Sequence, residues 1–403
     1  MNRRDFIALA ASLGVPLSWS SAANAGAAYR GLTPGYDNLL ILIELKGGND
    51  GLNTVIPYAD PAYYNLRPKL GIAREQVIQL DERTGLHPSL QAMVPMWKSG
   101  ELAIVQGVSY PAPNLSHFRS IEIWDTGSRS DEFLTQGWLT RAFSERAVPH
   151  GFAADGVVIG SAEMGPLANG ARAIALVNPE QFLRQSRLAM PARIHETNPS
   201  LEHILLVEND ILKAADGLRP REGQYAFKTS FPGGAFGTSV KTAMQVLGAA
   251  DTTTGQPIAG QGVGVIRLTL NGFDTHQNQL GQQASLLKQL ADGMVALRSA
   301  LGELGRWQST LIMTYSEFGR RPRENQSGGT DHGTVAPHFV AGGRVQGGLH
   351  GVPPVLASLD GNGNLPVGVD FRSIYAMVLE RWWGLDSMQV LEKRFTPMPL
   401  LRA

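Results

Sequence analysis

Two pairs of acidic and histidine side chains are spaced so that each pair could bind one metal ion. Asp274 and His276 lie two residues apart on a short loop, and both can reach a common ion if the backbone there is extended. Asp331 and His332 are adjacent and flanked by glycines. In a chain with only nine histidines, a second Asp/His unit is hard to explain as accident. The spacing therefore predicts a divalent cation site made from these residues.

Two further carboxylates, Asp50 and Glu317, are candidate ligands for a second ion. Asp50 lies in Gly47-Gly-Asn-Asp-Gly51, where glycines let the backbone turn sharply and leave the carboxylate uncovered. Glu317 follows an apolar run, at the carboxyl end of a predicted strand. Asp50 could instead cap a turn, and Glu317 could pair with Arg320 or Arg321. The ligand types are compatible with one or two ions of zinc, calcium, manganese or magnesium.

Ser116 is the candidate nucleophile. It lies in Pro113-Asn-Leu-Ser-His-Phe-Arg119, where a helix is predicted to begin and where amide groups and the helix dipole stabilise an adjacent anion. Ser116 could instead be an ordinary N-cap. His117 is either a ligand or base, or a buried and hydrogen-bonded side chain. Weaker candidates for the nucleophile are Thr54 and Asn114.

Three arginines, Arg320, Arg321 and Arg323, follow Glu317 closely. A planar guanidinium can hold a phosphate or sulfate oxyanion through two parallel hydrogen bonds. The alternative is a solvated charge cluster that binds no ligand. The sequence leaves both roles open.

The elements that position these residues follow from the apolar pattern. Short apolar runs alternate with helical stretches, which predicts an α/β fold with a largely parallel central sheet covered by helices, a three-layer sandwich. Residues 280–301 form the clearest helix, with apolar side chains at 3,4 spacing on one face. The runs predicted as strands are 39–45, 102–105, 157–159, 173–177, 263–270, 311–313 and 339–341.

The predicted strands explain why distant polar residues should meet. Ligands of open α/β sheets bind beyond the carboxyl ends of the strands, so the polar loops after 39–45, 263–270 and 311–313 are expected at one place. Residues 128–260 are less regular and rich in turn signals. We expect that range to form a cap or insertion over the sheet edge.

Composition excludes several classes of protein. The 35 basic and 35 acidic residues cancel, so the chain lacks the broad positive field that nucleic acid or an anionic membrane would require. Cysteine is absent, which rules out thiolate catalysis, thiolate metal sites and disulfides. At 403 residues the chain can bury a substantial core.

The N-terminal segment predicts export. Arg3 and Arg4 precede an apolar stretch, and Ala23-Asn-Ala25 fits the small-x-small cleavage pattern. We expect residues 1–25 to be a twin-arginine signal peptide, residues 26–403 to be the mature α/β domain, and the protein to be periplasmic or secreted. A retained anchor or an amphipathic first helix is the alternative. No later apolar run approaches the roughly 20 residues that span a bilayer, so no transmembrane segment is expected in the mature chain.

Five motifs in order resemble the DUF1501 family, exported bacterial proteins with twin-arginine signals. The resemblance covers essentially the whole mature chain. The family is named for an unknown function, and its fold is similar to that of the alkaline phosphatase and sulfatase superfamily. The motifs are Gly47-Gly-Asn-Asp-Gly-Leu-Asn-Thr-Val-Ile-Pro57, Ser116-His-Phe118, Gly272-Phe-Asp-Thr-His276, Ser316-Glu-Phe-Gly-Arg320 and Gly329-Thr-Asp-His-Gly333.

The superfamily resemblance implies roles for particular positions. Its metal ligands and nucleophile correspond to Asp50, Ser116, Asp274, His276 and His332. Phe318 departs from the pattern, because a metal-binding histidine is expected at that position. This departure makes a degraded, non-catalytic site the alternative.

The function implied by the resemblance is metal-dependent hydrolysis of phosphate or sulfate esters, with a small anionic ester as substrate. Ser116 would attack phosphorus or sulfur, and Arg119 or Arg320 would hold the anionic end of the substrate. The alternative is a non-enzymatic periplasmic binding or scaffold protein with a degenerate metal site. The expected macromolecular partner is the twin-arginine export machinery.

Overall fold

The computed structural model describes residues 33–149, 152, 154–177, 225–248 and 262–402. The predicted signal peptide, residues 1–25, lies outside these residues. So do residues 178–224 and 249–260 of the predicted insertion.

The described chain forms β-strands and α-helices that alternate along most of its length. Short 3₁₀ and π segments, Pro88–Met93 and Val378–Trp383 among them, extend the helical parts. The strands are β1 (Leu39–Lys46), β2 (Val55–Ile56), β3 (Ile78–Gln79), β4 (Gly85–Leu86), β5 (Leu102–Ser109), β6 (Ala154–Ile159), β7 (Ala173–Leu176), β8 (Val263–Asn271), β9 (Thr310–Tyr315), β10 (Gly319–Arg320), β11 (His332–Gly333), β12 (Ala336–Ala341), β13 (Gly348–Gly351) and β14 (Val369–Asp370). The helices are α1 (Gly51–Thr54), α2 (Pro61–Leu66), α3 (Val94–Lys98), α4 (His117–Thr126), α5 (Trp138–Glu145), α6 (Gly234–Leu247), α7 (Gln279–Glu303), α8 (Arg372–Met377) and α9 (Ser387–Leu391).

A nine-stranded sheet forms the centre of the fold, in the order β13-β5-β12-β9-β1-β8-β6-β7, with β14 beside β5. Strand β1 is parallel to both of its neighbours, β8 and β9. Strand β12 is antiparallel to β5 and β9. The predicted α/β class with a largely parallel sheet is confirmed, and each apolar run predicted as a strand lies within or overlaps a strand.

The central strand β1 shows why the sheet is covered on both faces. Successive side chains of a strand point to opposite faces, and both faces of β1 are buried and mostly apolar. Ile41 belongs to the core on one face together with Leu290 of α7. Leu40 belongs to the core on the other face together with Trp138 and Trp382. Helices on both sides complete the three layers that the sequence predicts.

The predicted helix over 280–301 is confirmed as α7, a 25-residue helix whose apolar stripe is buried. Within the range 128–260, β6 and β7 are strands of the central sheet. Those described parts therefore belong to the sheet, and the prediction of an insertion concerns the rest of the range. No helix in the described ranges is both long enough and apolar enough to cross a bilayer.

Candidate metal centre

Loops at the carboxyl ends of neighbouring strands build the site. Strands β9, β1 and β8 are adjacent and parallel, so the loops that follow them leave the same edge of the sheet. At Gly47 the backbone has a φ of +120°, and a Cβ there would lie 2.3 Å from the amide nitrogen of Asp274. Glycine at this position therefore lets the β1 and β8 loops touch.

The Asp274 carboxylate is surrounded by three histidine rings. Its Oδ1 lies 3.1 Å from Nε2 of His276 and 3.3 Å from Nε2 of His332. Its Oδ2 lies 3.5 Å from Nε2 of His117. Donor atoms of His117, Asp274 and His332 all lie within 4.8 Å of one another, and the Nε2 atoms of His276 and His332 are 3.0 Å apart. The structure thus brings together Asp274, His276 and His332, as the sequence predicts, and adds His117.

An acceptor outside the cluster faces the second nitrogen of each ring. Nδ1 of His332 donates to the Leu115 carbonyl at 2.8 Å, and Nδ1 of His117 donates to Oε1 of Glu317 at 2.9 Å. Nδ1 of His276 faces Oδ1 of Asp331 at 3.5 Å. With the proton placed on Nδ1, each ring presents the lone pair of Nε2 to the space around Asp274. Outer partners of this kind orient metal-binding histidines.

The charges around the cluster shift three pKa values. The hydrogen bond to Glu317 raises the pKa of His117, against the effect of partial burial. Burial lowers the pKa of His332, and the positive charge of Arg320 adds to that effect. Burial opposes ionisation of Asp274, but the hydrogen bond and charge of Arg320 prevail and lower the pKa of that carboxyl. At neutral pH the centre therefore contains an ionised Asp274 beside a neutral His332.

Arg320 is buried beneath the cluster and holds its loops together. Its Nε donates to the Gly48 carbonyl at 2.8 Å, and one terminal nitrogen donates to the Thr330 carbonyl at 2.9 Å. The other donates to Oδ1 of Asp274 at 2.6 Å and to the Phe273 carbonyl at 3.1 Å. The guanidinium is engaged by these internal acceptors, so the substrate-binding role predicted from sequence does not match its position. Arg320 instead positions Asp274.

Glu317 is also buried and joins the β1 loop to His117. Its Oε1 accepts from the amide of Gly47 at 2.9 Å as well as from Nδ1 of His117. The side chains of Ser120 and Trp124 donate to its backbone carbonyl. Glu317 therefore lies in the predicted crevice, as an acceptor behind His117.

Asp50 lies in a different environment from the other predicted ligands. Arg67, itself buried, donates to both oxygens of Asp50, at 2.5 Å to Oδ2 and 2.8 Å to Oδ1. Gln279 also donates to Oδ2. These donors occupy the carboxylate, so the structure pairs Asp50 with a buried arginine and not with the histidine cluster. Neither the predicted metal ligation nor a simple turn cap describes this arrangement.

Ser116 precedes α4, and His117 is the first residue of that helix. Ser116 is exposed, and its side chain makes no capping hydrogen bond. Its neighbours on both sides reach the centre, Leu115 through its carbonyl and His117 through its ring. The weaker candidate Thr54 is buried and hydrogen-bonded to Asn49.

Arg119 is turned toward a neighbouring segment of the chain. Its guanidinium forms an ion pair with Glu122 at 2.9 Å and lies 3.8 Å from the ring centroid of Phe133. It also donates to the carbonyls of Ser130 and Glu132. These contacts stabilise the segment that follows α4. They differ from the substrate contact predicted for Arg119.

Phe318 takes the position where the superfamily resemblance implies a histidine. The ring is buried, with its centroid 4.4 Å from that of His332 and 4.9 Å from that of His117. Phe318 therefore packs against two of the converging rings and contributes no ligand atom. Its apolar face lowers the polarity behind the centre.

A cavity of about 790 Å³ opens beside the cluster. His117, Asp274 and Glu317 form one end of its lining, and Lys46 with Glu163 lies at another part. Lys46 and Glu163 are joined by an ion pair of 2.6 Å. His117 and Asp274 of the cluster are thus accessible from a space large enough for a small organic molecule.

His117 is the site residue that sequence reasoning did not assign. The sequence leaves its role as a ligand open, because a histidine beside a phenylalanine is commonly buried. The pattern indicates only Ser116 as the residue at the helix start. The signal that could have separated the readings is the position of His117, directly after the loop that leaves β5 at the same edge as β9.

The chain is similar to one protein family and to several solved structures. The family model described as a protein of unknown function (DUF1501) matches residues 79–395. A search of curated proteins found no match. Solved structures similar to this chain include the alkaline phosphatase from the Antarctic bacterium TAB5, at 11% identity over 77% of this chain and 92% of that chain with a TM-score of 0.30.

Two further solved structures are similar to this chain at comparable sequence identity and TM-score. The lipoteichoic acid synthase from Listeria monocytogenes is 10% identical over 90% of this chain and 79% of that chain, with a TM-score of 0.33. The phosphonate monoester hydrolase from Silicibacter pomeroyi is 11% identical over 79% of this chain and 70% of that chain, with a TM-score of 0.35.

Proposed function

We propose that this chain, which belongs to the DUF1501 family, is a metal-dependent hydrolase of phosphate or sulfate esters. One observation carries the proposal: the Nε2 atoms of three histidines converge on the carboxylate of Asp274 at 3.1 to 3.5 Å, beside an accessible cavity. The cation would be held by His117, Asp274, His276 and His332.

The donor set fits a divalent cation by charge. Asp274, Glu317 and Asp331 bring three negative charges, and buried Arg320 brings one positive charge. Metal binding requires neutral rings, so His117, whose pKa is raised, would release its second proton as the ion binds. The cluster then carries two net negative charges, which a divalent ion balances.

The donor set also fits zinc by spacing. Zinc ligands at 2.0 to 2.1 Å in a tetrahedron are separated by roughly 3.3 Å. The three rings lie 3.1 to 3.5 Å from the Asp274 carboxylate, and the donor atoms of His117, Asp274 and His332 lie within 4.8 Å of one another, so a small contraction would bring them to these separations. Imidazole-rich sets favour zinc over calcium or magnesium, which prefer oxygen ligands. Zinc is therefore our first expectation among the four candidate ions.

The bound cation would act as a Lewis acid that lowers the pKa of a water or hydroxyl and neutralises ester oxygens. The residues of the chain prepare that site. Leu115 and Glu317 keep protons on Nδ1 of His332 and His117, so both rings offer Nε2. Arg320 fixes the orientation of Asp274. Ser116 is our candidate nucleophile, because its exposed side chain stands between two residues that contact the centre.

Elemental analysis and an ester panel test the proposal together. Protein exported through its own signal should contain a stoichiometric divalent metal and cleave aryl phosphates or aryl sulfates. Asp274→Ala and His332→Ala should lose both metal and turnover. His350→Ala is the matched control, because that ring bonds to the Gln346 carbonyl at 2.9 Å in another part of the chain. Metal-loaded protein that cleaves no ester in the panel would reject the proposal.

The role of Ser116 is tested separately. Ser116→Ala should retain metal and lose turnover if the serine attacks the ester. Retention of turnover in that variant would assign the attack to a water molecule and remove Ser116 from the proposal.

A second candidate function is binding without catalysis. It is favoured because the basic side chains near the site are bonded to acceptors of the protein itself. Arg119 and Arg320 are both engaged by internal acceptors, and Lys46 is paired with Glu163. A binding protein would retain inorganic phosphate or sulfate on the metal-loaded form and show no turnover. Calorimetry with those anions separates the two candidates.

We further propose that the chain reaches the periplasm or the exterior through the twin-arginine machinery. Arg3 and Arg4 ahead of an apolar stretch support this route. Replacing both arginines with lysine should leave the protein unprocessed in the cytoplasm, and fractionation with mass determination would show it. Processing after Ala25 in the native chain is the expected outcome.

A further inference from the structure

The cavity beside the cluster extends along one face of helix α4. His117, Ile121 and Asp125 are spaced four residues apart, and all three line the cavity. Residues at this spacing lie on the same side of an α-helix, and eight residues span about 12 Å along the axis. The cavity therefore extends from His117 and Asp274 to Asp125, which lies two turns, or about 12 Å, further along the helix axis.

Asp125 is unusual for a cavity carboxyl because one of its oxygens has no hydrogen-bond partner. Its Oδ1 is inaccessible to bulk solvent and accepts no hydrogen bond from the described residues. The guanidinium of Arg267 is close but directed elsewhere. It donates to the Tyr315 hydroxyl at 2.7 Å, the Glu163 carbonyl at 2.6 Å and Glu44 at 2.7 Å. Asp125 is nevertheless partly exposed and lines the cavity. A carboxyl group that lacks partners costs free energy, which a ligand bonded to its accessible side would recover.

A glycine makes room for this carboxyl group where Asp125 borders the cavity. Gly165 lines the cavity and has a φ of +54°. A Cβ at this position would lie 3.1 Å from Oδ1 of Asp125 and 2.9 Å from Nε of Arg267. Any larger residue would cover the carboxyl group.

The protonation of Asp125 defines what it can bind. Burial raises the pKa of Asp125 to about 8, with Glu44 and Glu163 adding to the effect and Arg267 opposing it. At neutral pH the group is a carboxylic acid, which both donates and accepts a hydrogen bond. Hydroxyl and carboxamide groups also do both.

Part of the cavity lining is apolar. Phe118, Ile121 and Leu134 belong to it, Ile121 lies one turn from both His117 and Asp125, and Phe118 is 88% exposed. An exposed phenylalanine at the rim of a cavity offers a flat face on which a ring can stack. The lining between the two polar ends therefore suits a ring or short hydrocarbon segment.

We propose that the cavity binds an elongated ester whose reacting end lies at His117 and Asp274, whose middle is apolar, and whose far end carries an uncharged hydroxyl or carboxamide that pairs with Asp125. This inference rests on the proposed function, because it describes the leaving group of the same site. It assigns Asp125 as a residue that determines substrate specificity.

Phenols that stand for the leaving group test the inference by binding alone. They share an alkyl chain reaching about 12 Å and end in a carboxamide, an isopropyl group or an ammonium group. Calorimetry on the metal-loaded protein should show the carboxamide bound about tenfold more tightly than the isopropyl phenol, as expected for pairing a buried polar group. Asp125→Asn should keep this preference, because an amide also donates and accepts. Asp125→Ala should abolish it, and Glu122→Gln, a cavity carboxyl on the same helix, should not.

Three results would overturn the inference. One is equal binding of the carboxamide and isopropyl phenols to the native protein, a comparison that needs no variant to fold. Another is retention of the preference in a folded Asp125→Ala protein. The third is a preference for the ammonium phenol that Asp125→Asn removes, which would make Asp125 an ionised counter-ion. The carboxamide phenol could bind preferentially while the phosphate and sulfate esters of these phenols are not cleaved. That result would reject the proposed hydrolysis and support the binding site at Asp125.

Discussion

The Nε2 atoms of His276 and His332 lie 3.0 Å apart, although the two rings belong to different loops. With the proton of each ring on Nδ1, which faces an oxygen atom, both Nε2 atoms would direct lone pairs at the same space. Arg320 lies 3.4 Å from Nε2 of His276, and a cation would bind between the two rings. The contact depends on how closely the loop before β11 approaches the loop after β8.

Gly329 controls that approach. A Cβ at Gly329 would lie 2.2 Å from the carbonyl carbon of His276, so Gly329→Ala must push the two loops apart. We predict at least a tenfold loss of zinc affinity, measured by calorimetry on metal-stripped protein. The neighbour Gly328 is the control, because a Cβ there meets nothing within 4 Å and its φ of +70° costs about 1 to 2 kcal/mol of strain without a clash. Equal zinc affinity in the two variants would contradict the prediction.

Glu317 tests the outer partners of the histidines. Glu317→Gln removes the negative charge that orients His117, and we predict a 10- to 100-fold loss of metal affinity. Glu163→Gln changes another carboxylate of the same cavity, one paired with Lys46 and not with a histidine. That variant should bind metal like the native protein. A loss of equal size in both would mean that only the total charge of the cavity matters.

The pair Arg67 and Asp50 predicts a large stability effect. Both side chains are buried, so Arg67→Met leaves an ionised Asp50 without its partner. We predict a loss of about 3 to 5 kcal/mol in the free energy of unfolding, measured by urea denaturation. Arg129→Met breaks the exposed pair with Asp131 and should cause no measurable change. If Arg67→Met were as stable as the control, Asp50 would need another partner.

Two buried histidines predict loss of stability in acid. Burial lowers the pKa of His87 to about 4 and that of His338 to about 3. The unfolded chain protonates near pH 6.5, so below that pH it binds more protons than the folded chain. Stability should therefore fall as pH drops from about 6.5 toward 4, with each histidine contributing about 1.4 kcal/mol per pH unit.

Variants of the same histidines make this testable. His338→Phe removes both ring nitrogens, neither of which has a hydrogen-bond partner among the described residues. His87→Asn keeps an acceptor for the amide of Ser89 without titrating in this range. In urea unfolding of metal-free protein between pH 7 and 4.5, each variant should flatten the pH dependence. An unchanged slope in the double variant would show that neither group is responsible.

The strands and the place of the site follow from local patterns that the sequence displays openly. Apolar runs mark the parallel strands, and the rule that their carboxyl ends face one crevice brings Asp274 and His332 together. The pairing of Asp50 with Arg67 could not be predicted in this way. It depends on which charged side chains are buried against each other, and residue spacing does not indicate this. The engagement of Arg320 beneath the centre escaped prediction for the same reason.

Helix α4 shows a middle case. The sequence predicts its start, but it leaves the role of His117 open and does not single out Asp125. The spacing of four residues from His117 through Ile121 to Asp125 was present in the sequence. This spacing can be interpreted only once the packing of α4 shows which side of the helix borders the cavity.

The proposed ligands are drawn from widely separated parts of the chain. His117 follows β5, His332 lies in β11, and β12, which comes next, pairs with both β5 and β9. A ribosome must therefore release most of the polypeptide before the full set of donors can assemble. The ion would tie these distant loops together, so its binding would be coupled to the folding of most of the chain.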